Sequence, residues 1–380
     1  MKKKILVFSQ FYLPSYKAGG PVVSISNVIS SLSNDFDFMV FTSDRDSKET
    51  NKFSDLTANE WTVFNQTNVY YADRKKINAL LLIKLIKNSA PDSVYLNSFF
   101  SFKFSILPLF VLKILFPSIK LILAPRGEFS DGALSQRSRR KKIYILLFKF
   151  LNLKKNIIWH ATNVDESQDV TRNLSINDDE IFISKNLIIK TDTELSSGLD
   201  ISNPNLQITF LARVTPTKNL DLAIAVLNKV KRNVSFDIYG LIDNEPYWEK
   251  CKILISKLPK NINVKYCGIL KTEEVIGVFK KYDILFLPTF GENFGHSIVE
   301  SLFAGTRVLI SDQTPWNDIN DSNAGWAVSL EDKDRFVHII DNIIDISPIQ
   351  REQSRLHAKE FYEKAIDNQS AIEVLKNNLC

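Results

Sequence analysis

Six short runs in the first half of the chain, Ile5–Phe8, Phe38–Thr42, Val94–Asn97, Leu121–Ala124, Ile157–His160 and Ile181–Ile183, are rich in Val, Ile, Leu and Phe and lack polar alternation. Runs of that kind read as strands buried on both faces, which requires a parallel sheet with helices on either side. Helical periodicity fills the gaps, at Val22–Leu32, Ile77–Lys87 and Val164–Leu174. The pattern stops at "KTDTELSSGLDISNPN", residues 190 to 205, a polar stretch with Ser-Ser-Gly and Asn-Pro that reads as a linker. It restarts at Gln207–Ala212 and continues through Phe236–Tyr239, Val264–Gly268, Ile284–Pro288 and Val308–Ser311, with helices at Asn219–Lys231, Thr272–Lys281 and His296–Ala304. The chain of 380 residues is long for one core. The expectation is therefore an α/β protein of two doubly wound, Rossmann-like, parallel-sheet domains facing an interdomain cleft. The boundaries are 1–190, a linker at 191–205, a second domain at 206–349, and C-terminal helices at 350–380 that pack back on the first domain.

Composition removes several classes. Cys251, Cys267 and Cys380 are too few and too scattered for a disulfide framework or a metal site, and they suggest a reducing compartment. The N-terminal "MKKKILVFSQFYLP" has too short an apolar run for a signal peptide, so it reads as a first buried strand and the chain as cytoplasmic. The most apolar stretch, residues 98–118, contains Lys103, Lys113 and a central Pro108, and reads as a buried helix bent or started late by the proline. The net charge of +5 is concentrated in "QRSRRKKIYILLFKFLNLKK", residues 136–155. There Arg137, Arg139, Arg140, Lys141, Lys142, Lys149, Lys154 and Lys155 meet no acidic residue, while Ile143, Leu146, Leu147 and Phe150 recur at helical spacing. A basic amphipathic helix over 137–155 suits an anionic membrane surface, and equally a core-facing helix with a solvated basic side. The total charge is low and the segment has no nucleic-acid motif, so no nucleic-acid partner is expected.

In open parallel sheets ligands bind beyond the carboxyl ends of the strands, so the residues there are the candidates. Gly19 and Gly20 follow the first strand and precede a helix opened by Pro21, a place where backbone can approach an anion. Arg213 and Lys218 follow the first strand of the second domain and form a possible diphosphate clamp. In "TFGENFGHSIVESLFAG", Glu292 lies in the loop and Glu300 about a turn and a half into the next helix, with Asn293, Phe294, Gly295 and His296 between them. Carboxylates accept paired hydrogen bonds from vicinal diols, and the free N–H groups of a helix start meet hydroxyls or phosphate. The bland alternatives are a helix-dipole role for Glu292 and a surface role for Glu300.

"LARVTPTKN" followed by "GENFGHSIVESLFAG" resembles the donor-site signature of family 4 glycosyltransferases of GT-B fold. "LAPRGEFSDGALSQRSRRKK", "IIWHATNVDES" and "TPWNDI…AGWAV" resemble a bacterial subgroup that builds surface polysaccharides. The resemblance implies a retaining transfer from a nucleotide-sugar donor to a growing glycan, such as a lipid-linked O-antigen or capsule repeat, with no metal or cofactor. It implies that Glu292 binds the donor sugar, that Glu300 binds the ribose, that Arg213 and Lys218 stabilise the departing diphosphate, and that Gly20 approaches it from the other domain. Arg213, Lys218 and Glu292 are then the catalytic set. Gly19, Asn293, Phe294, Gly295 and His296 complete the donor site. Arg126, Gly127, Glu128 and His160 fall on the acceptor side. The subgroup loop reads Pro-Arg-Gly-Met, whereas Glu128 follows Gly127 here, and Arg126 stands where many relatives have a nearby histidine. A core or supporting role suits His160 better than catalysis, and His338 and His357 read as structural. The expected setting is the inner face of the plasma membrane, with a lipid-linked glycan acceptor. The rival readings are a nucleotide-sugar epimerase of the same fold and a non-catalytic membrane-associated scaffold.

Overall fold

The computed structural model describes residues 2–135, 138–188, 205–343 and 348–380. The chain divides into two compact units, Met1–Lys190 with Asn368–Cys380, and Thr191–Asp367. The expected linker at 191–205 lies outside the described residues except for its last position, as does Arg137 of the basic segment.

The first unit is built on eight strands: β1 (Lys3–Phe8), β2 (Phe36–Ser43), β3 (Trp61–Phe64), β4 (Thr67–Ala72), β5 (Ser93–Leu96), β6 (Lys120–Leu123), β7 (Ile158–Ala161) and β8 (Ile181–Ile183). Their order across the sheet is β3-β4-β2-β1-β5-β6-β7-β8. Neighbouring residues of β1 show why the apolar runs do not alternate. Leu6 and Phe8 enter one core, Ile5 and Val7 the other, so both faces are covered. Every pairing is parallel except β3 with β4. Those two strands are joined through Asn65 and Gln66, both at positive φ, the geometry of a tight hairpin. Neither β3 nor β4 is among the strands expected from the sequence. Trp61 and Val63 are exposed, because an edge strand buries only one face, and this hides the apolar signal among polar neighbours. The apolar stretch near Pro108 forms a π-helical turn, Phe102–Ile106, followed by an α-helix, Leu107–Leu115, with the proline in its first turn. Among the described residues no helix is long and apolar enough to cross a membrane.

The second unit has a parallel six-stranded sheet: β9 (Leu206–Leu211), β10 (Val234–Tyr239), β11 (Ile262–Gly268), β12 (Ile284–Leu287), β13 (Arg307–Ser311) and β14 (Gly325–Val328), in the order β11-β10-β9-β12-β13-β14. The chain leaves β9 in one direction and returns to build from β12 in the other. The switch point is therefore between β9 and β12, and the crevice beyond their carboxyl ends is where a ligand fits.

The expected C-terminal block of 350–380 is split between the units. Helix Asn368–Leu379 buries Ala371, Leu375 and Leu379 in the core that holds Ile5 and Val7. Helix Pro348–Ala365 belongs to the second unit. Its Arg351 lies 3.4 Å from buried Asp283, and its Arg355 donates to the carbonyls of Tyr282 and Ala304 at 3.2 and 3.0 Å. A buried carboxylate needs such partners, so this helix closes the amino-terminal side of the sheet.

Candidate functional site

At the switch point two loops are tied together by backbone. Buried Thr289, just past β12, donates through Oγ1 to the carbonyl of Thr217 at 3.1 Å, and the amide of Phe290 donates to the same carbonyl at 2.8 Å. Ser311 Oγ holds the Thr289 carbonyl at 2.5 Å. The loop after β9 is thereby fixed against the loop after β12. A 3₁₀ turn, Pro216–Lys218, brings Lys218 to that seam, and its Nζ lies 2.5 Å from Glu292 Oε1. Both side chains keep only a small opening to solvent, 16% and 13%. A cation and a carboxylate are thus held ready at one strand tip, where a sugar hydroxyl or a phosphate oxygen would meet them.

Beyond Glu292 the loop turns into helix His296–Phe303 through Gly295, which has φ 79°. That left-handed conformation, and a built Cβ that would press on Ile298 at 2.8 Å, leave little room for any residue but glycine. Trp316 fixes the turn: its Nε1 donates to the Phe294 carbonyl at 2.5 Å and its ring meets Phe294 edge-on. His296 stacks its edge against Phe294 as well, and Asn293 lies between Glu292 and this turn. The helix start therefore presents N–H groups on a rigid support.

Glu300 sits on the second turn of the helix. Its carboxylate has no hydrogen-bond or ion-pair partner among the described residues, although the side chain is only partly exposed. Burial without compensation pushes its pKa up to about 8. Near neutral pH the group therefore holds its proton, and a ligand that donates hydrogen bonds to it would favour the ionised form. Arg213 is arranged differently. Its side chain is half exposed, and its Nη1 lies 3.3 Å from Asp243. The structure brings Lys218 and Glu292 into contact, and leaves Arg213 and Glu300 each in a separate environment along the same edge.

Sequence reading missed three contributors. Gly240, after β10, has φ 135°, and a Cβ there would collide with the carbonyl of Ala212, so the glycine lets two strand-end loops close on each other. Thr289 and Trp316 brace the site from behind. A buried threonine at a strand end gives no sequence signal, whereas the Pro315-Trp316 pair stood in plain view.

The first unit gathers its own residues at the carboxyl ends of β1, β5, β6 and β7. Gly19 caps helix Gly20–Leu32 at φ 67°, and the preceding loop is held by buried Asp46, which accepts from the amides of Tyr16 and Lys17 at 2.9 and 3.1 Å. Arg126 and Gly127 both lie at positive φ, 57° and 74°. The Gly127 amide donates to Glu166 Oε1 at 2.6 Å, and Glu166 Oε2 accepts from the Thr162 amide at 2.7 Å. Glu128 accepts from the amides of Phe99 and Phe100 at 2.6 and 3.0 Å and from Ser98 at 2.9 Å. It braces the π-helical turn. Burial raises its pKa, and these hydrogen bonds offset part of the rise. Arg126 donates to Tyr95 Oη at 2.8 Å, and Tyr95 Oη lies 2.6 Å from His160 Nδ1. Having accepted from the arginine, the phenol donates to the histidine. His160 then carries its proton on Nε2, which faces the Ser184 carbonyl at 3.2 Å. Burial, and then the charge of Arg126, push the His160 pKa down to about 3, so the ring is neutral.

Residues 192–361 match the family model "Glycosyl transferases group 1". The chain carries a glycosyltransferase group 1 domain. Over its whole length it is similar to solved structures of GT-B fold. It aligns with Anabaena Alr3699/HepE, solved with UDP and glucose, at TM-score 0.74 and 16% identity, covering 99% of each chain. It aligns with WaaG, a glycosyltransferase of lipopolysaccharide biosynthesis, at TM-score 0.68 and 13% identity, again covering 99% of each. A Klebsiella pneumoniae relative described as an uncharacterized 41.2 kDa protein in a cps region is 24% identical over 369 residues, which is 94% of this chain and 97% of that one. The switch point between β9 and β12 and the whole of Lys218, Glu292 and Glu300 fall inside the matched family segment.

Proposed function

We propose that this glycosyltransferase moves a sugar, with retention of anomeric configuration, from a nucleotide-sugar donor to a lipid-linked glycan of a surface polysaccharide such as an O-antigen or capsule. The single observation that carries the reading is the Lys218–Glu292 contact at the switch point, followed at once by a glycine-opened helix start and an uncompensated Glu300. When a glycosidic bond to diphosphate breaks, the anomeric carbon becomes cation-like and the leaving group gains charge. Lys218, Arg213 and the helix-start amides stabilise the leaving group, and Glu292 holds sugar hydroxyls. Glu300 accepts from the ribose diol. These positive groups supply what a divalent metal supplies elsewhere, so the reaction runs without one. A UDP donor is the first to test, because similar folds hold UDP and glucose.

The acceptor reading rests on helix Ser138–Phe150. Ile143, Leu146, Leu147 and Phe150 are exposed by 58, 66, 51 and 85%, while Phe148 is buried and Tyr144 and Ile145 pack toward the core. The helix thus has apolar groups on both sides, and its outer ones are flanked by exposed Arg139, Arg140, Lys142 and Lys149. Ile114 and Leu115 are exposed too, and the neighbouring Lys113 donates to the carbonyl of Lys155, past the end of this helix. Apolar groups ringed by cations suit the boundary of an anionic bilayer, which supports the reading of a peripheral protein on the inner face of the membrane. The deciding experiment screens UDP-, GDP- and dTDP-sugars against lipid-diphosphate acceptors, with product anomericity read by NMR. An inverted product, or a free epimerised nucleotide sugar without acceptor, overturns the reading.

A further inference from the structure

Arg126 is an unusual cation. Its Nε donates to Asn97 Oδ1 at 2.7 Å, Nη1 to Asn186 Oδ1 at 2.9 Å and Nη2 to Tyr95 Oη at 2.8 Å. All three acceptors are neutral. Among the described residues no carboxylate lies within ion-pair distance of the guanidinium, and the next ring, His160, is held neutral by its own network. The acids that touch this loop hold other partners: Glu166, from helix Val164–Leu174, accepts from Gly127 and Thr162, and Glu128 from residues 98–100. An arginine used only for folding usually meets a carboxylate, because leaving its charge uncompensated in a partly desolvated place is costly.

The position is also over-determined. Arg126 holds a left-handed backbone that non-glycine residues seldom adopt, and the two residues after it are pinned, Gly127 by the Glu166 carboxylate and Glu128 by the Phe99 and Phe100 amides. Three hydrogen bonds fix the guanidinium plane, and two of its five N–H groups remain. The side chain is neither fully buried nor loose. It stands beyond β6, beside Asn97 of the β5 end and across from Asn186 past β8, at the carboxyl edge of the first unit's sheet.

We propose that Arg126 is a preorganised anion-binding residue, built into a neutral cradle so that its charge is spent on a phosphate group of a substrate. The inference rests on the transferase reading for the identity of that substrate. The phosphate belongs either to the donor diphosphate or to the diphosphate of a lipid-linked acceptor. The neutral cradle would then serve a purpose: a carboxylate in it would hold the arginine equally well and cancel the charge that the substrate needs.

That contrast gives the test. Asn186→Asp is nearly isosteric and places a carboxylate on Arg126 Nη1. Arg126→Gln removes the charge, and Arg126→Lys keeps it without the planar fork. Full-length wild type and the three variants are compared for melting temperature, for kcat and KM toward each substrate, and for binding of inorganic diphosphate by calorimetry. Expected is a loss of about a hundredfold in kcat/KM for Asn186→Asp and Arg126→Gln, as for other preorganised charge stabilisers. Arg126→Lys loses less, and Asn186→Asp melts no lower than wild type. A rise in KM confined to the nucleotide sugar assigns the phosphate to the donor, and one confined to the lipid substrate assigns it to the acceptor. Unchanged kinetics and diphosphate binding in Asn186→Asp, with a lowered melting temperature in Arg126→Gln, overturn the proposal and leave Arg126 a structural residue. If the wild type transfers from no donor, the transferase reading fails, and the wild-type to Asn186→Asp difference in diphosphate binding still decides the role of Arg126.

Discussion

Replacing Glu300 by Gln isolates the cost of holding a lone carboxyl in protein. In the folded state the group ionises near pH 8, against an ordinary value of 4.5, because burial disfavours its charge and no partner offsets it. The folded state therefore binds a proton over a range where the unfolded chain has released it. Stability is full below about pH 4.5, falls as pH rises through the interval, and stops falling above about pH 8. At about 1.4 kcal/mol per pKa unit the gap has an upper bound of roughly 5 kcal/mol, and partial exposure reduces it to about 2–3 kcal/mol. A neutral glutamine carries none of this. The variant should match the wild type within about 1 kcal/mol near pH 5 and exceed it by about 2–3 kcal/mol at pH 9.

Hydrogen exchange over helix His296–Phe303, wild type against variant at each pH, is the suitable assay, since it reports the second unit alone and intrinsic rates cancel. A wild-type to variant difference that stays flat from pH 5 to pH 9 refutes the reasoning. The same group gives a ligand readout. A ribose diol donating to the carboxylate favours its ionised form, so donor binding at pH 7 should release close to one proton. Calorimetry in buffers of different ionisation enthalpy measures this, and Glu300→Gln should release none.

Lys218→Ala should lower turnover about a hundredfold, and Arg213→Ala by a similar factor while leaving stability within about 0.5 kcal/mol, since its pair with Asp243 is half exposed; near-normal kinetics in both variants would remove them from the reaction. Addition of EDTA should leave the transfer rate unchanged, and loss of activity restored by a divalent cation would contradict the metal-free reading. Gly240→Ala should cost roughly 2–4 kcal/mol on chemical denaturation, because its Cβ meets the Ala212 carbonyl at a φ that favours glycine. Replacing Leu146, Leu147 and Phe150 together by Ser should abolish sedimentation with anionic vesicles at moderate salt and leave the melting temperature unchanged, because these side chains already face solvent; undiminished binding would move the membrane contact elsewhere.

The alternation of apolar runs with helical periods made both sheets legible, because strands buried on two faces must be apolar throughout. Elements with one wet face were not: β3 and helix Glu245–Ile255 carry mixed sequences whose burial depends on neighbours distant in the chain. At the site, residue types at strand ends pointed to Lys218, Glu292 and Glu300, since placement after a strand follows from local order. Partnership did not follow. Nothing in the spacing says that Lys218 meets Glu292 while Arg213 turns to Asp243, because both depend on how the loops after β9, β10 and β12 lean together.

The basic helix shows the same limit most sharply. Its period of apolar residues was visible, and the residues at that period, Ile143, Leu146, Leu147 and Phe150, would ordinarily be assigned to a core. The core instead takes Phe148, with Tyr144 and Ile145, on the other side. Periodicity identifies two faces of a helix and cannot say which one the protein covers. Where both are apolar, the face left uncovered here is the one flanked by Arg139, Arg140, Lys142 and Lys149, and the proposal of an anionic membrane partner rests on that face alone.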